Sequence, residues 1–539
     1  MRFEQQISAC LKPAAAAALA VSLFASGRVV FASEQVPPPP PVNQPPAPAP
    51  AAPGVLRIGA DEAVRMALEN NLGLQTERLS PQIQALGITR ALGAYKPLLF
   101  ATTSRSSNTS PPRDFLSTGV AVTTSASFIT NTGVQQQLPW GGFYSLSLSG
   151  SRSTSDAPRV VFSPALGSDL NAQYDQPLLR NFSIDGFRQA LLQSRNARQI
   201  ADLQLQERVT QTSRAVRSSY YDLVGAITGL QVAQQSLELA QQSLKNNKRR
   251  VEVGTMAPID IVEAEAEVAR NEENVIQRES AIQRAEDGLR ALVMNPTQPD
   301  FWTAKIEPAE QPTLSPQTID VQAAITNALA NRTDLGRVKR QLESADIDIK
   351  YAQNQKLPAV DLRARYGLTG VGGTQFDYGQ GGVDGAPPIP IGSSQRSFAD
   401  VLRDVFGNEF RNWSLSLQVS YPLGTSTADA VLAQSRLQRQ QGVVALRDLE
   451  LQVATAVRDA GRQVNTDLKR VEATRKAREL AERRLEAEEK RLAVGLSDTF
   501  RLFQAQRDLA LQRQAELNAI IDYNRSLVDF QAVQSVPLR

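Results

Sequence analysis

The sequence contains no histidine and a single cysteine, Cys10, near the start of its 539 residues. These absences exclude Ser-His-Asp triads, Cys-His dyads, histidine general bases and zinc sites built from histidine or cysteine. Paired carboxylates are the familiar acid-base chemistry that remains. We therefore predict no catalytic residue, no cofactor-binding residue and no metal site.

The chain also lacks a strong charge of either sign and long apolar runs beyond its N-terminal region. Its 58 Lys and Arg against 55 Asp and Glu leave a net charge of +3, which is typical of a protein that does not bind nucleic acid. Beyond the N-terminal region, no segment reaches the 18 consecutive apolar residues that a membrane helix requires. If this protein crosses a membrane, the sequence predicts that it does so with strands.

The N-terminal region predicts export. Residues 1–32 carry a short apolar run behind Arg2 and Lys12 and end in Val30-Phe31-Ala32, a pattern typical of a signal peptide cleaved near Ala32. An uncleaved anchor is the alternative. Residues 33–54 follow, and ten of the seventeen residues from 37 to 53 are proline, which predicts an extended, disordered linker. Cleavage would leave a mature chain without cysteine.

The remainder of the sequence consists of two similar repeats. Ala67-Leu68-Glu69-Asn70-Asn71 recurs as Ala328-Leu329-Ala330-Asn331-Arg332, and Val253-Gly254-Thr255 recurs as Val494-Gly495-Leu496. The offset falls from 261 positions for the first match to 241 for the second, so the first repeat carries about 20 more residues in its middle. We predict a first repeat over 55–300, an inter-repeat linker over 301–317 and a second repeat over 318–536.

Each repeat opens with a predicted helix pair, over 61–95 and 318–356, and continues into strands. In the second repeat, Trp413, Leu415, Leu417, Val419 and Tyr421 alternate with polar residues, as in a strand that crosses an outer membrane. Counting two strands in each repeat gives about four strands for one chain. Whether residues 120–152 add a further hairpin to these strands is left open by the sequence. The alternative to a membrane sheet is an ordinary half-buried sheet.

Long helices with seven-residue spacing follow the strands in both repeats. They are predicted over 187–252 and 428–493, with return helices over 258–294 and 499–534 after a short glycine turn. Apolar residues recur every seven positions, which predicts coiled-coil packing. In the second repeat, Arg478 and Glu516 occupy positions where that spacing predicts apolar residues.

Two further patterns look like catalytic motifs but lack their required parts. Residues 367–385 are rich in glycine, yet no Lys-Ser or Lys-Thr and no helix start follows, so an extracellular loop is predicted instead of a phosphate site. Glu263, Glu265 and Glu267 invite a reading as paired acids. Glu263 and Glu267 are four positions apart and are predicted to share one solvated helix face.

Four strands cannot close a channel, because the smallest known membrane barrels use eight. Several copies of the chain would have to share one barrel, with the helical hairpins forming a tube below it. The predicted fold class is therefore mainly α with a transmembrane β-barrel portion, built from two structural repeats.

With these features, the sequence resembles the TolC family of outer-membrane efflux and secretion ducts. The residues that carry the resemblance are the opening helix Asp61 to Asn71, the prolines Pro97 and Pro358, Gln176-Pro177-Leu178-Leu179, and the two glycine turns. The resemblance extends over nearly the whole mature chain. The family implies a homotrimer with a twelve-stranded barrel in outer-membrane lipid and a periplasmic α-barrel. It also implies docking to a periplasmic adaptor protein and to an inner-membrane pump or ABC transporter.

The same resemblance assigns candidate sites. The first tip (Val253, Gly254, Thr255) and the second tip (Val494, Gly495, Leu496) would dock the adaptor. Helix-strand junctions would lie at Pro97, Pro177, Pro358 and Pro422. In the family, acids beyond the second tip line the periplasmic aperture.

Here the equivalent aperture positions are Arg501 and Gln504, while acids occur only in the first repeat, at Asp260 and Glu263. This departure argues against a simple ring of acids that binds cations. We hypothesise that Asp260 pairs with Arg501 to latch the closed tip. A solvated surface pair worth at most about 1 kcal/mol is the alternative.

The predicted function is a passive duct in the outer membrane with a long periplasmic extension, and no enzyme activity is predicted. A periplasmic coiled-coil adaptor or scaffold without a pore is the main alternative. The alternating strands and the doubled hairpins count against it. An enzyme based on carboxylates is a more distant alternative, and the cargo is beyond the sequence.

Overall fold

The structure, a computed structural model, describes residues 55–111, 122–157, 160–310, 314–378, 390–424 and 426–534. The predicted signal peptide, residues 1–32, and the predicted linker, residues 33–54, lie outside the described residues. The described residues all fall within the larger of the two units into which the chain divides, residues 53–539.

The element order repeats as the sequence predicts. The first repeat contains β1 (Val55–Ile58), α1 (Ala60–Asn70), α2 (Leu72–Gly93), β2 (Leu98–Ser110), β3 (Thr123–Gln137), β4 (Phe143–Ser155), β5 (Phe162–Pro177), α3 (Gly186–Glu252) and α4 (Ile259–Val293). β6 (Lys305–Pro308) lies in the segment predicted as the inter-repeat linker. The second repeat contains α5 (Val321–Asn331), α6 (Thr333–Gln355), β7 (Ala359–Tyr378), β8 (Pro390–Arg396), α7 (Phe398–Phe406), β9 (Arg411–Ser420), α8 (Thr427–Ala493) and α9 (Thr499–Val533).

Seven strands form one antiparallel sheet in the order β2-β3-β4-β5-β7-β8, with β9 also paired to β7. Six of them are long, whereas the sequence predicts about four. The two additional long strands are β3 and β4, which form the hairpin that the sequence leaves open. Their insertion between β2 and β5 also explains why the first repeat is the longer one.

The turn of this hairpin is fixed by its glycines. Gly141 has a φ of +93°, a conformation that glycine adopts without steric cost. The backbone N–H of Leu138 donates to the carbonyl of Gly142 at 2.7 Å and closes the turn. The sequence Pro139-Trp140-Gly141-Gly142 therefore reverses the chain at the end of the sheet that lies nearest the helices.

The glycine-rich segment is a strand and not a loop over residues 367–378, which corrects the sequence prediction. These residues continue β7 and pair with β5 and β8. Glycine is required at Gly370 and Gly372, because a Cβ there would collide with Val401 of α7. The short helix α7 thus packs directly on the backbone of β7. The rest of the predicted loop, residues 379–385, lies outside the described residues.

Two long helical hairpins dominate the described part of the chain. Helices α3 and α8 each contain 67 residues, or about 100 Å at 1.5 Å per residue. Each returns through a helix of 35 residues, α4 or α9. Within the described residues, no helix has both the length and the hydropathy needed to cross a membrane.

The start of α8 is well capped. Ser426 and Asp429 form a capping box, in which each side chain hydrogen-bonds the backbone N–H of the other. Lys356, at the end of α6, contacts Asp429 at 2.7 Å. These interactions hold the pKa of the Asp429 carboxyl down at about 2, with the hydrogen bond from Lys356 as the largest cause and those from Ser426 next. The end of the helix pair is thereby joined to the start of the long helix.

The hydrophobic core lies where the helix pairs meet the long hairpins. One part is formed by β1, α1, α3 and α4 of the first repeat together with β6, with Ala63, Ala67, Val216, Leu223, Leu289 and Val293 completely buried. Two buried tyrosines secure the segment between the repeats. Tyr220 accepts from the backbone N–H of Glu310 at 3.2 Å, and Tyr523 donates to the carbonyl of Ser315 at 2.8 Å.

Candidate functional site

The two tips have the same backbone geometry. Gly254 and Gly495 have φ values of +78° and +76°. The N–H of Thr255 donates to the carbonyl of Arg250, and the N–H of Leu496 donates to that of Arg491, both at 2.8 Å. This is the helix-ending motif that favours glycine in the left-handed conformation. The repeat of sequence is thus also a repeat of conformation.

Each tip exposes apolar side chains to solvent. Val253 is 76% exposed, Val494 69% and Leu496 75%. Three further apolar residues beside the tips are absent from the sequence prediction, namely Ile259, Val262 and Phe500, which are 63%, 58% and 59% exposed. Helical periodicity alone could have found them, since they begin the return helices at positions that the core does not use. Together with the tips they form two small apolar patches.

The structure brings the two tips of one chain side by side. The guanidinium of Arg250, four residues before Gly254, donates to the carbonyl of Leu492, three residues before Gly495, at 3.4 Å. Both long helices end in basic residues, Arg249 and Arg250 on α3 and Lys490 and Arg491 on α8. Positive charge is favourable there, because the helix dipole is negative at its C-terminus.

The four aperture candidates lie in the first turns of α4 and α9. Glu263, Arg501 and Gln504 are exposed and Asp260 is half-buried. The hypothesised pair between Asp260 and Arg501 is not formed among the described residues of one chain. Arg501 instead lies 3.6 Å from Asp498, the residue that caps α9. The physical reason is local, since an N-cap carboxylate three positions away reaches the guanidinium first.

A buried acid, for which the sequence predicts a solvated position, joins the two repeats. The side chain of Glu267 on α4 is only 7% exposed and lies 3.3 Å from the guanidinium of Arg507 on α9 and of Arg270 on its own helix. The prediction of a solvated face is therefore wrong for Glu267. Ser243 on α3 and Gln506 on α9 make a second contact between repeats, at 3.1 Å.

The charged residues at heptad positions of the second hairpin pair with each other. Arg478 on α8 contacts Glu516 on α9 and also Glu482 at 2.9 Å. Arg513 contacts Glu482 at 3.2 Å. Burial alone would raise the pKa of the Glu482 carboxyl, but hydrogen bonds from Arg478 and Arg513 outweigh it and hold that pKa below its ordinary value. An ion network thus replaces apolar packing at this level of the hairpin.

The large sheet has one apolar and one polar face. Residues directly opposite in an antiparallel pair share a face. The apolar face includes Leu99, Val134, Leu146, Leu148, Leu170, Leu362, Leu368, Trp413, Leu415, Leu417 and Val419. The polar face includes Thr102, Asn131, Ser145, Ser147, Ser149, Gln173, Asp175, Arg363, Arg365, Ser414, Ser416 and Gln418.

Both faces follow the alternation that the sequence predicts, but exposure is unusual on the apolar one. In β9, Trp413, Leu415, Leu417 and Val419 are 60–73% exposed. The polar face is cross-linked by hydrogen bonds, such as Arg365 to Gln173 at 3.0 Å. Contiguous exposed apolar surface of this kind marks a membrane or protein contact.

The four junction prolines lie at the ends of sheet strands that adjoin the helices. Pro97 and Pro358 directly precede β2 and β7, Pro177 is the last residue of β5, and Pro422 follows β9. Proline suits these positions because it removes a backbone donor where the ladder ends. Among the described residues, no group of three or more His, Cys, Asp or Glu could hold a metal ion.

The family model of outer membrane efflux proteins matches residues 145–293 and 324–533, which cover most of both repeats. The chain belongs to the outer membrane efflux protein family. This membership assigns the chain to the outer membrane and to efflux, and the family is one of channels and not of enzymes. No curated protein sequence matches the chain significantly.

Solved structures of outer-membrane channels share the fold of this outer membrane efflux protein. VceC from Vibrio cholerae is 15% identical, with a TM-score of 0.61 over 88% of this chain and 96% of the other. The open state of MtrE from Neisseria gonorrhoeae is 17% identical, with a TM-score of 0.60 over 89% of each chain. CmeC from Campylobacter jejuni is 13% identical, with a TM-score of 0.61 over 88% and 85%. The predicted TolC-like fold is thereby confirmed.

Proposed function

We propose that this outer membrane efflux protein is the passive exit duct of a tripartite efflux pump or type I secretion system. The observation that carries the proposal is a two-faced sheet joined to helical hairpins of about 100 Å. The apolar face suits lipid and the polar face suits a water-filled lumen. Energy would come from an inner-membrane pump or ABC transporter, so the chain itself would need no catalytic group and no cofactor.

A closed wall requires more than one copy of the chain. Among the described residues, β2 pairs only with β3, and β9 pairs only with β7. Unpaired strand edges are costly in lipid, since each unsatisfied backbone group costs several kcal/mol. The edge of β2 in one copy would therefore pair with the edge of β9 in the next. A homotrimer in outer-membrane lipid is the assembly that the family resemblance supports.

The tips would dock the periplasmic adaptor. Val253, Gly254 and Thr255 form one docking tip, and Val494, Gly495 and Leu496 form the other. In support of this role, the Cβ position of each glycine has no described atom within 4 Å, so the glycine serves the turn and not the packing of this chain. A bare backbone with exposed apolar neighbours suits a helical partner.

Asp260, Glu263, Arg501 and Gln504 would line the aperture between these tips and the lumen. Their charges are mixed, so the aperture would not select strongly for cations. Within the part of one chain that the structure describes, Arg501 pairs only with Asp498, at 3.6 Å, and such a solvated pair is worth at most about 1 kcal/mol. Arg501→Ala should therefore leave channel conductance unchanged, and a large conductance rise would restore the latch hypothesis.

The predicted boundaries complete the proposal. A signal peptide over 1–32 would direct export, and the linker over 33–54 would precede the first repeat. The prolines Pro97, Pro177, Pro358 and Pro422 would mark the level at which the wall changes from strands to helices.

Planar-bilayer recording of the purified protein tests the duct directly. We expect discrete conductance steps that scale with salt concentration. A preparation that is folded and helical but never conducts would favour the periplasmic scaffold. Docking is tested by cross-linking at Leu496→Cys in cells, with Gln514→Cys, on α9 well away from the tips, as the matched control. We expect an adduct with a periplasmic protein from the first position alone.

A further inference from the structure

The inserted hairpin is continuous with the strands on both sides of it. β2 pairs with β3 from Leu98 opposite Gln135 to Ser110 opposite Thr123. β4 continues the ladder with β3 over Ser125–Gln137 and with β5 over Ala165–Asp175. The ladder has no break at either junction, so the hairpin is part of the sheet and not a flap above it.

Both faces of the sheet also continue across the hairpin. One cross-strand row runs Ala101, Thr132, Leu148, Leu170 and Leu368, with four apolar residues of five. The next row runs Thr102, Asn131, Ser149, Asp169 and Thr369, all of them polar. A hairpin folded into the lumen would have no reason to keep an apolar face in line with that of β5 and β7.

One of the threonines that the hairpin places on the apolar face is paired across the strands. The hydroxyls of Thr103 and Thr130 lie 3.4 Å apart across β2 and β3. Burial of a hydroxyl in an apolar medium is costly unless it is hydrogen-bonded. The arrangement therefore tolerates lipid contact at a row where an isolated threonine would not.

We propose that the β3–β4 hairpin forms part of the channel wall, so that each copy contributes six long strands and the exit is wider than four strands per copy would allow. The inference rests on the proposed duct. Barrel diameter grows roughly linearly with strand number, so the wall would be about one and a half times as wide for any number of copies. With three copies, opposing backbones would lie about 36 Å apart instead of about 24 Å, at 4.8 Å strand spacing and 40° tilt.

The hairpin also determines the chemical character of the lumen surface that it adds. On β4, every second residue from Ser145 to Ser153 is a serine that faces the polar side. This surface is small, uncharged and well hydrated. A wide and neutral exit suits bulky, water-soluble cargo, because it neither obstructs such cargo nor binds it electrostatically.

Deletion of residues 123–155 tests the width. It removes β3 and β4 and leaves β2 and β5 antiparallel, with Leu99 brought beside Ala172 and the faces preserved. Sized polyethylene glycols are added on the strand side of channels in planar bilayers. We expect the radius of the largest polymer that enters to fall by at least about one third in the deletion variant, because side chains narrow the wide and the narrow wall equally. An unchanged cut-off in a conducting variant would overturn the proposal.

Cysteine labelling gives a second test should the deletion variant fail to assemble. In a Cys10→Ser background, Ser147→Cys and Leu148→Cys probe the two faces of β4, and Ser416→Cys and Leu417→Cys probe those of β9. In outer membranes we expect a water-soluble maleimide to label the serine positions at least tenfold faster in both strands. Equal labelling in β4 with alternation in β9 would overturn the hairpin proposal alone. Loss of alternation in both strands would overturn the duct itself.

Discussion

An arginine on the apolar face of β9 should block membrane assembly. The apolar row from Trp413 to Tyr421 spans about 27 Å along the strand at 3.4 Å per residue, or about 21 Å across the bilayer at a 40° tilt. Leu417 lies at the middle of this row and is 60% exposed in the single chain. An arginine at the bilayer midplane of such a strand costs about 2–4 kcal/mol. A cost of about 3 kcal/mol lowers the folding equilibrium constant on the order of 150-fold.

The neighbouring residue provides the control. Gln418 lies on the polar face, opposite Asp361 of β7, so Gln418→Arg would place its charge in water beside a carboxylate. We expect it to fold as the parent protein does. The assay is refolding of denatured protein into lipid vesicles, followed by guanidinium titration of the folded fraction. Equal losses in the two variants, or no loss in Leu417→Arg, would refute the assignment of the faces.

Three further predictions concern the helical hairpins. Glu516→Leu removes the interhelical partner of the half-buried Arg478, which keeps only Glu482 on its own helix, and should cost about 2 kcal/mol. The double variant with Arg478→Met should lie within about 1 kcal/mol of the parent in thermal unfolding; equal losses would show that the pair acts through packing alone. Glu267→Gln weakens the contact with Arg507 between the repeats and should raise single-channel conductance; an unchanged value would mean that this contact does not hold the helical end closed. The Asp429 carboxyl has a folded pKa of about 2, below an unfolded value of about 3.9, so its stabilisation is present above pH 4 and lost as the pH falls through 2. Asp429→Asn should therefore flatten the drop in unfolding temperature between pH 4 and 2, and identical pH profiles would contradict this reasoning.

The sequence predicts the helical part of the fold closely because its signals are local. Seven-residue spacing and a glycine at each reversal place α3 within one residue of its predicted bounds, 187–252. The same glycines predict the tips, whose conformation depends on φ and not on distant neighbours. Because the sequence is repeated, the bounds of the first helical hairpin also predict those of the second.

The strand count could not be predicted in the same way. β3 carries threonines on its apolar face, such as Thr130 and Thr132, and the apolar Ile129 on its polar face, so its alternation is weak. Its place in the sheet depends on pairing with β2 and β4. From the sequence alone, the glycines of β7 indicate a loop. The structure shows that they allow α7 to pack closely on the strand. In both cases the deciding contact comes from a part of the chain that local patterns do not reveal.

For the site residues, too, local contacts can be predicted from the sequence and long-range contacts cannot. Spacing alone predicts that Glu267 shares a solvated face with Glu263. In the structure, α9 brings Arg507, 240 positions later, against Glu267. Arg501 is the converse case, because its partner within one chain is the local acid Asp498, whereas the hypothesis from the sequence names the distant Asp260. Phe500, beside the second tip, lies outside the seven-residue frame of Leu502 and Leu509, so local periodicity is enough to predict its exposure.

The central claim is that several copies of this chain enclose one continuous channel. Electron microscopy of the protein extracted from outer membranes in a mild detergent tests it most directly. The account predicts hollow particles with threefold symmetry, in which a strand-walled ring continues into a helical tube. Solid rods or single chains would contradict it and would make the pore-free scaffold the better explanation.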